Sequence, residues 1–125
     1  MPKTKTNYDL EERTKKFSED IIVFVKQIPK TIINIPLISQ LIKSATSIGA
    51  NYCEANGASS KKDFKNKIYI CKKEARETRY WLELITKANP EFSKEGQEYK
   101  QEAHELILIF SKIILTLESK ENAKD

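Results

Sequence analysis

Apolar residues recur at helical intervals along most of the chain. Between Asp9 and Ile28, the positions Leu10, Phe17, Ile21, Phe24, Val25 and Ile28 follow the three- and four-residue steps that turn one face of an α-helix toward a core. The pattern predicts a first helix over 9–28. Pro29 and Pro36 bracket the connector "PKTIINIP", because proline lacks the N–H that an interior helical position donates. A second helix is predicted over 37–56, with Gly57 as its stop. Ser60, with Asp63 three residues on, reads as an N-cap, and a third helix extends over 61–89 until Pro90 halts it. Beyond "PEFSKEG", Tyr99, Ala103, Leu106, Phe110, Ile113 and Leu117 share one side of a fourth helix over 97–117. Residues 1–8 are expected to be flexible and 118–125 to fray. Four such helices with short connections predict an all-α, up-down-up-down four-helix bundle in a single domain, 9–117.

Helix three sorts into three faces at about 100° per residue. Phe64, Ile68, Cys71, Ala75, Thr78, Leu82 and Ile85 make the seam that enters the core. A second face is basic and aromatic: Lys65, Tyr69, Lys72, Arg76, Arg79 and Tyr80, with Lys61 and Lys62 near the helix start. The third carries Ile70, Glu74, Glu77, Trp81 and Leu84. Tryptophan is enriched at the buried centres of protein interfaces, which makes this third face a candidate subunit contact. The alternative is a wide core that absorbs Trp81 and Ile70 while the glutamates stay in water.

Composition narrows the function classes. A chain of 125 residues, 39% of them apolar, can bury one core and has no room for a separate catalytic domain. No apolar run approaches the roughly 18 residues needed to span a bilayer, and the N-terminus lacks a signal core. Two cysteines without a CxxC pair suit a reducing compartment, so a cytoplasmic protein is expected, without a membrane role. From Lys61 to Arg79 eight basic residues stand against three acids, whereas acids outnumber lysines after Glu91. A basic stripe interleaved with Tyr69 and Tyr80 can follow a phosphate backbone and stack on unpaired bases. Catalytic patterns are missing. The single histidine, His104, lies off the seam of helix four, and a di-iron bundle would need Glu-x-x-His on two helices. Glu54 and Glu74 read as ion-paired or capping groups, since no nucleophile or phosphate loop accompanies them. Neither an enzymatic activity, nor a cofactor, nor a metal is expected.

"SIGANYCEANGASSKKDF", residues 47–64, is rich in small side chains. Ala45, Gly49 and Cys53, with Ala50 beside them, predict a low ridge along helix two against which another helix presses, because Gly49 costs about 1 kcal/mol of helix propensity relative to alanine.

The segments "LEERTKKF", "IPKT" and "LIKSATSIGANYCEANGASSKKDFKNKIYICKKEARETRYWLELI" closely resemble small bacterial four-helix-bundle proteins related to those encoded in intervening sequences of the 23S rRNA gene. An S-x-x-A-N-x-x-E-A core matches Ser47, Ala50, Asn51, Glu54 and Ala55; S-K-K-x-F matches Ser60 to Phe64; E-A-x-E-x-x-x-W-L-x-L matches Glu74 to Leu84. The resemblance covers about Tyr8 to Leu117. It implies a helical bundle without an assigned reaction and, from relatives, a ring-shaped homopentamer. A related accessory protein of diversity-generating retroelements acts with nucleic acid and a reverse transcriptase. Two functions are therefore expected as alternatives: an oligomeric module binding RNA or DNA through the basic face of helix three, or a protein-interaction scaffold in which that face recruits an acidic protein partner or is only solvated.

Overall fold

Each predicted helix forms, and the differences fall at the ends. The computed structural model describes residues 7–123: α1 (Asn7–Lys26), α2 (Asn34–Asn56), α3 (Lys61–Ala88), a 3-10 turn (Pro90–Phe92) and α4 (Ser93–Ala123). The expectations for residues 1–6 and 124–125 lie outside the described residues.

Helix α2 starts before Pro36, not after it. First-turn N–H groups have no intrahelical acceptor, so a proline there removes nothing the helix needs. Thr31 does the capping: its hydroxyl accepts from the Asn34 N–H at 3.0 Å and its carbonyl from the Ile35 N–H at 2.9 Å. At the other end Gly57 takes φ −99°, so no left-handed cap is used. The helix instead tightens, with Gly57 N–H donating to Glu54 O and Ala58 N–H to Ala55 O. Ser60 caps α3 through its hydroxyl, which accepts from the Asp63 N–H at 3.1 Å, while the Asp63 carboxylate accepts from Ser59. Helix α4 differs most. It begins at Ser93 and runs to Ala123, past the Leu117 end expected, and Gly96 lies inside it, buried rather than in a linker. A methyl at Gly96 would overlap the Thr86 methyl, so that glycine sets how closely α4 crosses the end of α3.

Cross-helix contacts fix the topology. Thr14 lies against Gly49 and Ser18 reaches Ala45, so α1 and α2 run antiparallel. Along α3, Lys67, Thr78 and Asn89 meet Glu54, Ser44 and Asn34 of α2 in descending order. Lys65, Tyr69 and Arg79 meet Glu121, Glu118 and His104 of α4, again descending. Arg13 on Glu102 and Gln27 on Glu95 close α4 onto α1. The order around the bundle is thus α1, α2, α3, α4, up-down-up-down, with α1–α2 and α3–α4 forming opposite sides.

The core is continuous. Ile21, Phe24, Leu41, Ile48, Ile68, Leu82, Ile85, Leu106 and Phe110 are fully buried, and truncating any one of the leucines to alanine removes about 2–5 kcal/mol. Buried polar groups are all satisfied among the described residues. At one end Asn34 and Asn89 exchange side-chain hydrogen bonds at 2.9 and 2.8 Å, and their amides also donate to Pro29 O and Ile85 O.

Candidate interaction faces

The predicted seam of α3 enters the core: Ile68, Cys71, Ala75, Thr78, Leu82 and Ile85 are buried and Phe64 packs at its edge. Burial pushes the Cys71 thiol up to about 12, and its S–H points at Ile48 O, 3.5 Å away. It is an inert packing group. Cys53 is exposed, and neither cysteine is in a disulfide.

The basic and aromatic face lies along α4, and this changes its charge. Lys65 Nζ sits 2.9 Å from the Glu121 carboxylate, and the Tyr69 hydroxyl donates to Glu118. These hydrogen bonds raise the pKa of both groups, since each stabilises the protonated form. Arg79 Nη1 lies 2.9 Å from His104 Nδ1, which must carry its lone pair there to accept from a guanidinium. Lys61, Lys62, Lys72 and Arg76 have no acidic partner among the described residues, so half of the eight face residues are free cations. Tyr80 is exposed and stacks edge-on with Trp81, ring centres 5.0 Å apart.

Sequence reading passed over two leucines on the same side. Leu108 and Leu115 project from α4, 55% and 64% exposed, about one heptad apart and off the core seam. The seven-residue spacing was the available signal; what hid it was the absence, in sequence, of any way to tell that α4 leaves this strip uncovered.

The third face of α3 looks toward α2. Ile70, Trp81 and Leu84 are half-buried, and Trp81 packs on the core. Glu74 is largely covered, 3.6 Å from Lys73, while Glu77 is exposed. Glu54 pairs with Lys67 at 2.6 Å, so Glu54 and Glu74 engage different lysines and do not form a carboxylate pair.

The small-residue ridge of α2 is half right. Ala45 is fully buried, and a Cβ on Gly49 would meet Thr14 Oγ1 at 3.3 Å and Thr14 O at 3.4 Å, so α1 does approach there. Ala50 and Cys53, however, are exposed. Successive four-residue steps drift around a helix, so Cys53 stands about 80° from Ala45, and Ala50 is displaced further. Tyr52 takes the core position instead, wholly buried beside Phe110.

A clamp that sequence did not reveal joins α1 to α4. Arg13 makes two hydrogen bonds to Glu102, at 2.7 and 2.8 Å, and a third to Glu105 at 2.8 Å. Hydrogen bonds from Gln101 and then Arg13 hold the Glu105 carboxyl below its usual range. Among the described residues no cluster of His, Cys, Asp and Glu could hold a metal ion. No helix there is long and apolar enough to cross a membrane.

Comparison with known proteins agrees with this architecture. The sequence pattern of the family described as 23S rRNA-intervening sequence protein matches residues 6–112. The fold is similar to the crystal structure of a protein of unknown function from the S23 ribosomal protein family of Bacteroides thetaiotaomicron. That protein is 30% identical, with a TM-score of 0.73, and the match covers 83% of this chain and 96% of that one. No curated protein matches. The chain belongs to the 23S rRNA-intervening sequence protein family.

Proposed function

Given that membership, we propose that the chain is a non-catalytic, cytoplasmic, self-assembling helical module, a homo-oligomer for which the family resemblance favours a ring of five. The observation that carries this reading is the apolar surface a lone bundle leaves in water. Ile22, Val23 and Ile35 on one side, and Tyr69, Tyr80, Leu108 and Leu115 on another, are exposed although the core is already filled. Large apolar side chains gathered in the open on two sides of a small chain favour such a contact. The Ile70/Trp81/Leu84 face offers less, because its apolar members are half-buried within the single copy. Light scattering at micromolar concentration tests the reading: a mass several times 14.5 kDa is expected. A monomer mass would overturn it.

The four free cations favour a second activity for the same assembly. Lys61, Lys62, Lys72 and Arg76 lie along one helix at spacings that suit a phosphate backbone, and repetition around an oligomer multiplies a weak contact. Binding of RNA or DNA through them would be electrostatic, nearly indifferent to sequence and steeply weakened by salt. Lys65, Tyr69 and Arg79 are already engaged by α4, and Glu118 and Glu121 stand beside them, so the phosphate path is narrower than the sequence implies. A salt-titrated assay with single-stranded RNA, duplex RNA and DNA, repeated on Lys72→Glu/Arg76→Glu, is the test. Equal binding by the double variant would reduce the stripe to a solvated face. Failure of the wild type to bind at low salt would leave protein recognition, with an acidic protein as the partner to seek.

A further inference from the structure

We infer that the end of the bundle carrying the α1–α2 connection docks on an anionic lipid surface, with Ile32 and Ile33 as the inserted tip and the lysines around it on the headgroups. This surface is complete in a single copy and does not depend on the assembly proposed above.

The two connections at this end place their apolar residues in opposite ways. Between α3 and α4, Phe92 folds inward and meets Phe24 edge-on, ring centres 6.2 Å apart. Between α1 and α2, Ile32 is 89% exposed and Ile33 61%, with Ile35 also outward in the first turn of α2. The α2–α3 turn at the other end is polar in the ordinary way, with Ser59, Ser60 and Lys61 after Gly57. Isoleucines left in water contribute nothing to the fold.

The tip is held still and its backbone is turned inward. The Lys30 ammonium donates to Val25 O at 3.1 Å and to Ile28 O at 2.6 Å, closing the last turn of α1. Pro29 O accepts from the Thr31 N–H and from the Asn34 amide, each at 3.0 Å, and Thr31 O accepts from the Ile35 N–H. Pro29 and Pro36 have no N–H to satisfy. An apolar phase penalises unpaired backbone groups most, and the carbonyls of Val25, Ile28, Pro29 and Thr31 already carry internal donors.

The charge around the tip selects the partner. Lys26 ends α1, Lys87 lies in the last turn of α3 and Lys94 in the first turn of α4, and none of the three has an acidic partner among the described residues. The acids at this end are Glu91 and Glu95, and Gln27 donates to Glu95. No acid stands in the first turn of α2, whose N-terminal end carries partial positive charge. An aliphatic tip bordered by lysines from three helices suits a surface with an apolar interior and an anionic rim, because the isoleucines enter while the long ammonium stems stay among the headgroups. A protein pocket is the poorer match. The centres of protein contacts are enriched in Trp, Tyr and Arg, and the tip has none of them. The expectation of no membrane role rested on the lack of a spanning segment, and docking on a surface requires none.

Flotation of the full chain with vesicles tests the inference, using phosphatidylglycerol mixed with phosphatidylcholine and, in parallel, phosphatidylcholine alone. Wild type should float with the mixed vesicles and far less with the neutral ones. Ile32→Ser/Ile33→Ser keeps every charge and should bind the mixed vesicles about tenfold more weakly, since two isoleucines lose their burial. Circular dichroism checks that the variant keeps its helix; should it not, Ile32→Ser alone takes its place and should still bind several-fold less. A folded variant that floats like wild type would overturn the inference and assign the attachment to cations elsewhere, such as those of α3. A wild type that floats with neither vesicle would also overturn it and leave the tip to a protein. So would a variant that loses the wild-type mass in light scattering without lipid, because the tip would then be a contact between copies. A monomeric wild type that floats as expected would overturn the assembly reading and support this one.

Discussion

Helices α2 and α4 occupy diagonal corners of the bundle and differ in the balance of close packing and polar tethers that holds them. Both neighbours of α2 come close across short side chains: Gly49 and Ala45 against Thr14 and Ser18 of α1, Ser44 against Thr78 of α3. Helix α4 comes as close to α3 only at its start, where Gly96 meets Thr86, and along the rest of its length long polar side chains reach it: Arg13 from α1, and Lys65, Tyr69 and Arg79 from α3. Close packing is unforgiving of added volume and insensitive to salt. Tethers tolerate sequence change and respond to ions and pH. The same bundle thus contains a stiff corner and an adjustable one.

The largest effect should come from filling the stiff corner. Gly49→Leu is expected to lower stability by about 1–3 kcal/mol through overpacking against Thr14, despite leucine's better helix propensity. A urea midpoint that stays put or rises would show that α1 yields easily and the contrast is empty. Cutting a tether should cost less. Arg13→Ala is expected to remove about 1 kcal/mol or less at low ionic strength, since the pair is partly solvated, and the loss should shrink further in high salt. An effect of Arg13→Ala as large as that of Gly49→Leu, and unchanged by salt, would place the clamp among the packing contacts.

Smaller still is the response of Tyr69 to pH. Its hydrogen bond to Glu118 raises the folded-state pKa, so the stability it supplies is full below the unfolded tyrosine value and is lost as pH rises through the folded one. An absorbance titration of phenolate should find this tyrosine ionising above the ordinary range, and Glu118→Gln should lower it. No difference between the two proteins would remove that tether. Labelling of thiols sharpens the contrast without perturbing either corner. Cys53 should react at once, whereas Cys71, buried and pushed up to about 12, should wait for unfolding. Equal rates would mean that the α2–α3 contact opens readily.

The stiff corner was the more legible of the two. Gly49 announces a close approach because glycine, unlike alanine, costs helix propensity wherever packing does not need it, and Ala45 one turn earlier extends the low surface. Even there the four-residue step was carried too far, to Cys53, while Tyr52 held the inward position. The adjustable corner was almost invisible. Arg13 and Glu102 are 89 residues apart, Lys65 and Glu121 are 56 apart, and many other carboxylates were available to either cation. A helical period says which face a residue occupies, and says nothing of what stands across from it. The same blindness explains Gly96: it was read as loop because it follows Pro90, whereas the 3-10 turn absorbs the proline and lets the helix begin at Ser93.

The paired amides of Asn34 and Asn89 act as a register mark for the whole bundle. A stripe of aliphatic side chains is nearly the same after a shift of one helical turn, about 5.4 Å, so apolar packing alone discriminates poorly between neighbouring alignments of α2 and α3. Two buried amides that exchange hydrogen bonds discriminate well, because every slipped alignment strands the side-chain carbonyl of each at about 1–3 kcal/mol apiece while their bonds to Pro29 O and Ile85 O stay local. The arrangement also shapes how this sequence can change. Losing either asparagine alone leaves the side-chain carbonyl of the other without its donor, whereas exchanging both for apolar residues removes that demand. Substitution at this pair must cross a valley that simultaneous change avoids, and the two positions, 55 residues apart, are expected to vary as one.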